Sequence, residues 1–408
     1  MLNEAWAIVE HRGTLGLRQL ESDWKRLHEA TPGRARYHAY EAHAAYVNHL
    51  CASPDRFRYL AVSDGQQVRA IWPLEARIEN ALRFPIPVWG LPLHPHWSVG
   101  DVVCPDDELR RDLVPFVVRH LRAAPEGRQL LVLGPSPANS GIWGGLRALH
   151  GEDGCLHAST PSCYFDCTKS YDVLMARLTG HFRRNLRSHS KRLLSFPDAR
   201  FVSVSDKEGL ARALNDFMEV EASGWKGEQG TRSAIRLHAP LTAFYRDLAA
   251  SMTRKGDGCE INSLYVDGRC IASQFCVYTG EDYTMLKIGY DQEYARLGPG
   301  QLLLQHTLRR CCEDAQIARL DLVSDATWSS DWKTELAPMN QAHVALGRCS
   351  NCLTIPLLRV RFDHGRRVAA WVRRTARPRT SGLASRFCAL PRRPNPPRRL
   401  QPPAHEGN

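Results

Sequence analysis

Apolar and polar positions along the chain fall into two alternations of the same order, about 200 residues apart. In the first, apolar residues recur at helical spacing over Leu15–Glu29 and Tyr40–Leu50. Three strand-like runs follow, Phe57–Val62, Val68–Leu74 and Leu82–Trp89, with a hairpin signal, Asp64-Gly65, between the first two. A loop rich in Pro, His and Trp spans Gly90–Asp101. An amphipathic helix then covers Leu109–Leu121, and a short apolar strand closes the series at Leu130–Leu133. In the second alternation, strands Ile261–Val266 and Cys270–Tyr278 flank Asp267-Gly268, Tyr283–Tyr290 is the third strand, a helix runs to about Ala315, and Leu320–Val323 is the last strand. Hairpins followed by a helix and a further strand imply mixed sheets with helices packed on them, an α/β (α+β) architecture. The expected divisions are 1–165, 166–350 and a tail, 351–408.

Two stretches lie between the alternations. In Leu178–Leu193, positions 178, 182, 186 and 193 share an apolar face, and Arg183, Arg184, Arg187, Lys191 and Arg192 cover the other. Such a face is either simply solvated or a surface for an anionic ligand. Further on, a helix at Leu210–Glu221 runs into a glycine-rich loop carrying Trp225, Lys226, Gly227 and Gly230. A Trp and a carboxylate beside such a loop suit a pocket wall, and equally a helix end with a packed Trp.

Charge changes the picture less than its total suggests. The net +11 comes from the end of the chain: from Arg359 onward there are 13 arginines against Asp363 and Glu406, while the remaining 41 basic and 41 acidic residues cancel. The folded part is neutral, which argues against nucleic acid as its partner. From about Arg373 the tail is rich in Arg and Pro, with seven prolines between Pro378 and Pro403, and is expected to be disordered. Just before it, Leu357–Val372 has the pattern of a short basic amphipathic helix able to touch an anionic surface. No run approaches the roughly 18 apolar residues of a membrane span. The N-terminal MLNEAWAIVEHRG lacks a signal pattern, so the expected compartment is cytoplasmic. Thirteen scattered cysteines, with one lone CxxC at Cys349 and Cys352, read as free thiols, and no metal is expected.

The candidate chemistry centres on Tyr283–Gln305. Here a strand ends in Arg296-Leu297-Gly298-Pro299-Gly300, and a helix opens with Leu302, Leu303, Leu304 and Leu308 as its stripe. Pro299 fixes a helical φ, and the glycines let backbone approach a ligand. A helix starting at such a turn offers N–H groups and a positive dipole end to an anion, with Arg296 beside it. A plain strand-to-helix connection fits the same residues.

Three motifs in this order, FRRNLRSHSKRL, EVEASGWKGEQGT and LKIGYDQEYARLGPGQLLL, resemble the CelD/BioF2-like acetyltransferases of the GNAT superfamily, relatives of the FemAB-type transferases. The resemblance covers Leu174–Leu346 best, with 1–165 as a degenerate first half of a tandem GNAT-like fold. It implies an acyltransferase using acetyl-CoA or another acyl-CoA, with an acceptor that is a small molecule or saccharide of cell-envelope or exopolysaccharide chemistry. By the same resemblance Arg296, Gly298 and Gly300, with the N–H groups of Gln301 and Leu302, take the carrier's pyrophosphate. Here one residue fewer follows the Arg than in the Arg/Gln-x-x-Gly-x-Gly/Ala pattern, and a Pro separates the glycines.

Direct transfer needs a base for the acceptor and an acid for the leaving thiolate. Glu221 is the first candidate base and Asp291 the second, with Tyr290 as acid. Glu221 reads equally as a helix-end charge and Asp291 as a turn former. Lys287 is placed to pair with a carboxylate or meet the donor phosphate. Trp225 and Lys226 on one side, and Trp328, Trp332 and Lys333 on the other, are candidates to line the acceptor pocket. Two alternatives stand beside this reading. One is a FemAB-type enzyme with an aminoacyl-tRNA donor held by the basic helix. The other is a non-catalytic scaffold of a polysaccharide synthesis complex anchored by the tail.

Overall fold

The first half opens on β1 (Ala7–Arg12), then α1 (Gly13–Gln19), α2 (Glu21–Ala30) and α3 (Tyr40–His49), then β2 (Phe57–Ser63), β3 (Val68–Glu79), β4 (Ile86–Gly90), α4 (Asp107–Ala123), β5 (Leu130–Pro137) and α5 (Ile142–Ala148). A long strand, β6 (Gly154–Asp166), leads to α6 (Tyr171–Ala176), α7 (Gly180–Leu193), β7 (Arg200–Val204), α8 (Lys207–Ser223) and α9 (Ala239–Ser251). The second half proper is β8 (Asp257–Val266), β9 (Arg269–Thr279), β10 (Asp282–Tyr290), α10 (Pro299–Glu313), β11 (Arg319–Asp321) and β12 (Glu335–Ala345). The structure is a computed structural model and describes residues 6–31, 38–80, 84–149, 154–252, 257–324, 327–348 and 350–362.

The repeated order in the sequence is a repeated order in space. β2, β3 and β4 form an antiparallel meander, α4 crosses over, and β5 lies parallel to β4. β8, β9 and β10 do the same, α10 crosses over, and β11 lies parallel to β10. A parallel pair needs a crossover of this kind, because a tight turn can only reverse the chain. The β8–β9 hairpin turns on Asp267 and Gly268, both with positive φ (51° and 73°), the geometry of the turn that matches strand twist.

The two expected sheets meet edge to edge in one twelve-stranded sheet of order β1-β2-β3-β4-β5-β12-β6-β11-β10-β9-β8-β7. The seam is made by exchange. β6, which follows the first half, pairs with β11 of the second, and β12, the last strand, pairs with both β6 and β5. Residues 1–360 form one compact unit.

Helices cover both faces. On one face α2 and α3 of the first half share a single apolar core with α8 and α9 of the second, around Trp24, Tyr46, Phe217, Tyr245 and Phe275. On the other face of the second half, α6, α7 and α10 pack against β6, β10 and β11 through Phe182, Leu186, Leu304, Leu308 and Met285. The expected leucine stripe of α10 is buried throughout at Leu302, Leu303, Leu304 and Leu308. At about 2 kcal/mol per buried leucine, this stripe is what fixes the helix start in space.

β1, α5, β6, α6, β7, α9 and β12 were not among the expected elements. The expected strand at Leu82–Trp89 begins at Ile86, and residues 81–83 lie outside the described ones. Residues 355–362 are helical, where the amphipathic segment was expected, whereas the Arg/Pro-rich tail lies outside the described residues. Among the described residues, no helix is long and apolar enough to cross a membrane.

Candidate active site

β10 and β11 are paired over three positions only, Asp282–Thr284 against Arg319–Asp321. A bulge follows in β10 between Met285 and Lys287. Beyond it β10 keeps its pairing with β9 as far as Tyr290, but on the β11 side it has no strand partner among the described residues. After Asp321 the chain turns off through Leu322, whose N–H donates to Cys163 O, and Val323, whose φ is 70°. The two parallel strands therefore part.

A cavity of about 450 Å³ opens where they part. Ile288 and Tyr290 of β10 form one wall, and Gly298, Pro299, Gly300, Gln301 and Leu304 at the start of α10 form another. Trp328 and Trp332, from the segment before β12, Trp225 from the loop after α8, and His189 of α7 complete it. β10 is pressed against α8 behind this wall: a Cβ on Gly289 would stand 2.6 Å from the Glu221 Cα.

The helix start is built from the Gly-Pro-Gly turn. Asp291 caps a 3-10 turn over Gln292–Leu297. Gly298 follows in the left-handed region (φ 62°, ψ 45°), and a Cβ there would meet the His189 ring at 2.8 Å. Both features require glycine. The N–H groups of Gln301 and Leu302 donate back to Gly298 O, each at 3.0 Å. This corrects the expectation that they face a phosphate. Pro299 has no N–H, so the first turn leaves open the N–H of Gly300, which has no partner among the described residues. α10 has no side-chain cap and no acidic residue in its first turn. At Gly300 a Cβ would make ordinary contacts with Tyr290 at 3.5 Å and Ile288 at 3.7 Å.

The other candidates divide sharply. Tyr290, Trp225 and Trp328 are exposed and line the cavity. Trp332 lines it too, but is buried edge-to-face against Phe165 and Phe182, so it is wall before it is ligand contact. Arg296 is exposed and does not line the cavity; its carbonyl accepts from Arg192 at 2.6 Å. Leu302 is buried in the core below. Lys333 is exposed with φ 53° and lies outside the lining.

Four more residues lie outside the cavity lining. Glu221 is buried; one oxygen takes Lys226 Nζ at 2.9 Å and the other accepts from Ile235 N at 2.9 Å. This pair closes the 224–234 loop onto α8, which accounts for Lys226 as well. Asp291 is buried, paired with Arg269 at 2.6 Å while it accepts from Glu293 N. That is the turn-former role. Lys287 stands opposite Phe275, on the α8–α9 side of the sheet, away from the cavity.

His189 is the cavity residue the motif reading passed over. Position 189 continues the 182 and 186 stripe at helical spacing, so the signal was present. Burial, with Arg192 next, lowers its pKa below the usual imidazole value. Arg184, Arg187, Lys191 and Arg192 of the same helix are exposed, forming the basic face seen in the sequence. Among the described residues no cluster of His, Cys, Asp or Glu is arranged to hold a metal ion.

Residues 180–334 match the family model described as an acetyltransferase (GNAT) domain. Among solved structures, the C-terminal domain of a putative lysylphosphatidylglycerol synthetase from Agrobacterium fabrum is 12% identical, covers 84% of this chain and 95% of its own length, and superposes with a TM-score of 0.51. FemX is 11% identical over 73% of this chain and 90% of its own (TM-score 0.48). A tandem GNAT protein from the clavulanic acid biosynthesis pathway is 13% identical over 84% and 99% (TM-score 0.45). At these identities the first likeness is one of fold. No curated protein matches the sequence significantly.

Proposed function

Residues 180–334 are an acetyltransferase (GNAT) domain and the chain is an acyltransferase; from that premise we propose that it is acyl-CoA-dependent and passes the acyl group directly to an amine or hydroxyl of a sugar, cell-envelope or exopolysaccharide-related acceptor. The observation that carries this reading is the conjunction of parting parallel strands with an uncapped helix start at one cavity.

The chemistry follows from the groups present. The diphosphate of the carrier meets the Gly300 N–H and the positive end of α10, where no carboxylate of the first turn opposes it. The pantetheine arm runs between Trp225, Trp328 and Ile288. The thioester carbonyl reaches the edge of β10 beyond Thr284, whose backbone donors face the gap. One such donor on a developing oxyanion contributes about 3 kcal/mol. Tyr290, exposed on the cavity wall, gives its proton to the departing thiolate. Glu221 and Asp291 have their carboxylates engaged and supply no base in this reading. Acyl-CoA is made in the cytoplasm, the compartment this donor requires.

A second reading, an aminoacyl-tRNA donor, is favoured by the exposed Arg184, Arg187, Lys191 and Arg192 beside the cavity. Native mass spectrometry of the full chain with acetyl-CoA and an aminoacylated tRNA in one mixture separates the two. The CoA reading expects a 1:1 acetyl-CoA complex that tRNA does not displace; a tRNA complex in its place would overturn it.

A further inference from the structure

The Pro/His/Trp loop between β4 and α4 reaches the second half from the face opposite the cavity. His94 and Trp97 close it into a tight turn with reciprocal backbone bonds at 3.0 and 2.7 Å. Inside the turn His96 N donates to His94 Nδ1 at 3.1 Å, which fixes that nitrogen as an acceptor. His96 Nδ1 meets the Tyr245 hydroxyl of α9 at 2.9 Å. Tyr245 stands edge-on to Phe275 of β9, with ring centres 5.0 Å apart. Phe275 lies directly opposite Lys287 in the β9–β10 register. Loop, helix and strand are thus in contact by a continuous path: His96, Tyr245, Phe275, Lys287.

The path ends at the stretch of β10 that the reaction needs. The bulge puts both Leu286 and Lys287 on the α8–α9 side, while the next residue, Ile288, lines the donor cavity on the other. Lys287 and Ile288 are consecutive residues of β10 whose side chains point to opposite faces of the sheet.

We propose that His96 is the general base of the transfer, taking the proton of the acceptor's attacking amine or hydroxyl on the α8–α9 side of β10, and that Lys287 receives an anionic group on that acceptor. This rests on the acyltransferase reading above and adds the base and the acceptor class. The attacking N–H or O–H gives its proton to His96 Nε2, the new C–N or C–O bond forms, and the thioester C–S bond breaks. The thiolate leaves with a proton from Tyr290, and His96 returns its own to solvent.

The surroundings suit the role. Nε2 of His96 has no hydrogen-bond partner among the described residues, and Nδ1 is steadied by Tyr245. Burial, and then the charges of Lys287, His94, Lys226 and His238, hold its pKa down to about 3. The ring is therefore neutral at pH 7 with its lone pair available. A phosphate or carboxylate beside Lys287 offsets that charge and raises the ring's affinity for a proton as the acceptor binds. An amine that has already added to a carbonyl is also a far stronger acid than the free ammonium, so a weak base suffices to take its proton.

Bromoacetyl-CoA tests the placement without knowledge of the acceptor. Its reactive carbon is the bromomethyl carbon, which sits where the methyl of acetyl-CoA sits, one bond from the acyl carbon, and a nearby lone pair in line displaces bromide. The full chain is incubated with it, digested and mapped by mass spectrometry, beside calorimetry with acetyl-CoA. The expected result is one carboxymethyl-type adduct, carried by His96. In His96→Gln, which keeps a partner for Tyr245, the adduct should disappear, since an amide nitrogen has no lone pair free to displace bromide, while acetyl-CoA affinity stays within about twofold. A label on any other residue, or none despite acetyl-CoA binding, overturns the assignment of His96 and leaves the donor reading intact. Absence of acetyl-CoA binding overturns the donor reading and this one with it. The map on the unsubstituted chain decides the matter even if the variant fails to fold.

Discussion

The helix start of α4 and that of α10 occupy the same place in the two halves, and one is closed where the other is open. Before α4, Asp106 accepts from Glu108 N and Leu109 N at 2.8 and 3.1 Å, and Asp107 and Glu108 fill the first turn with negative charge. The helix thus provides its own anion. The strands below it do not part either: Leu91 N continues the ladder to Val132 O, and Gly100 N returns to Pro135 O. Leu91, Val102 and Val103 are wholly buried there. Before α10 the same construction has a left-handed glycine for a cap, no carboxylate, and a cavity where the first half has its own loop. On the proposed reading, the fold unit does not bind a donor by itself. On that reading, binding needs the first turn left without an internal anion and the strand edge left without an internal partner.

Removing a wall should cost most. Trp332→Ala empties a buried site between Phe165 and Phe182, and a loss of about 3–5 kcal/mol in urea unfolding is expected. A loss under about 1 kcal/mol would mean that the cavity wall is not part of the core. Gly300→Asp converts the open helix start into a copy of the closed one. The Cβ fits, so the fold should survive, while acetyl-CoA affinity falls by about 100-fold, roughly 2.7 kcal/mol. Unchanged affinity would dissolve the contrast between the two halves. Trp328→Ala removes an exposed face of the cavity, so about tenfold in affinity should go with stability unmoved. The smallest effect belongs to the closed half. Asp106→Ala removes only a cap, which costs about 1 kcal/mol of stability and changes no ligand binding. A change in acetyl-CoA affinity there would mean that the first half also holds donor.

What the sequence makes legible follows from how local each feature is. The hairpins, α4, α8 and α10 are set by turn residues, caps and stripes within their own segments, and all appear where periodicity puts them. The seam is not local. β6 carries Pro161 and a Ser/Thr-rich middle, and β12 carries Pro338 inside one register shift, Ala337/Met339, with a second following at Asn340/Ala342. Each reads as loop because its partners lie far away in the chain and the bulges absorb what breaks its alternation. The site divides the same way. Gly298, Gly300, Tyr290, Trp225, Trp328 and Trp332 converge on one cavity, since they flank the turn that defines it. Glu221, Lys226 and Asp291 looked like free chemistry because their partners, Ile235 N and Arg269, are fixed only by folding. His96 was legible only as one member of a His-rich loop, since its neighbours belong to the other half.

The amide of Gly300 carries the central claim, and it can be watched directly. In a spectrum of the full chain labelled with [15N]glycine and assigned with Gly300→Ala, addition of CoA should move the Gly300 resonance strongly downfield, as a new charge-assisted hydrogen bond does. Pantetheine, which lacks the diphosphate, should leave it in place. A Gly300 resonance that stays still while CoA binds would contradict the account.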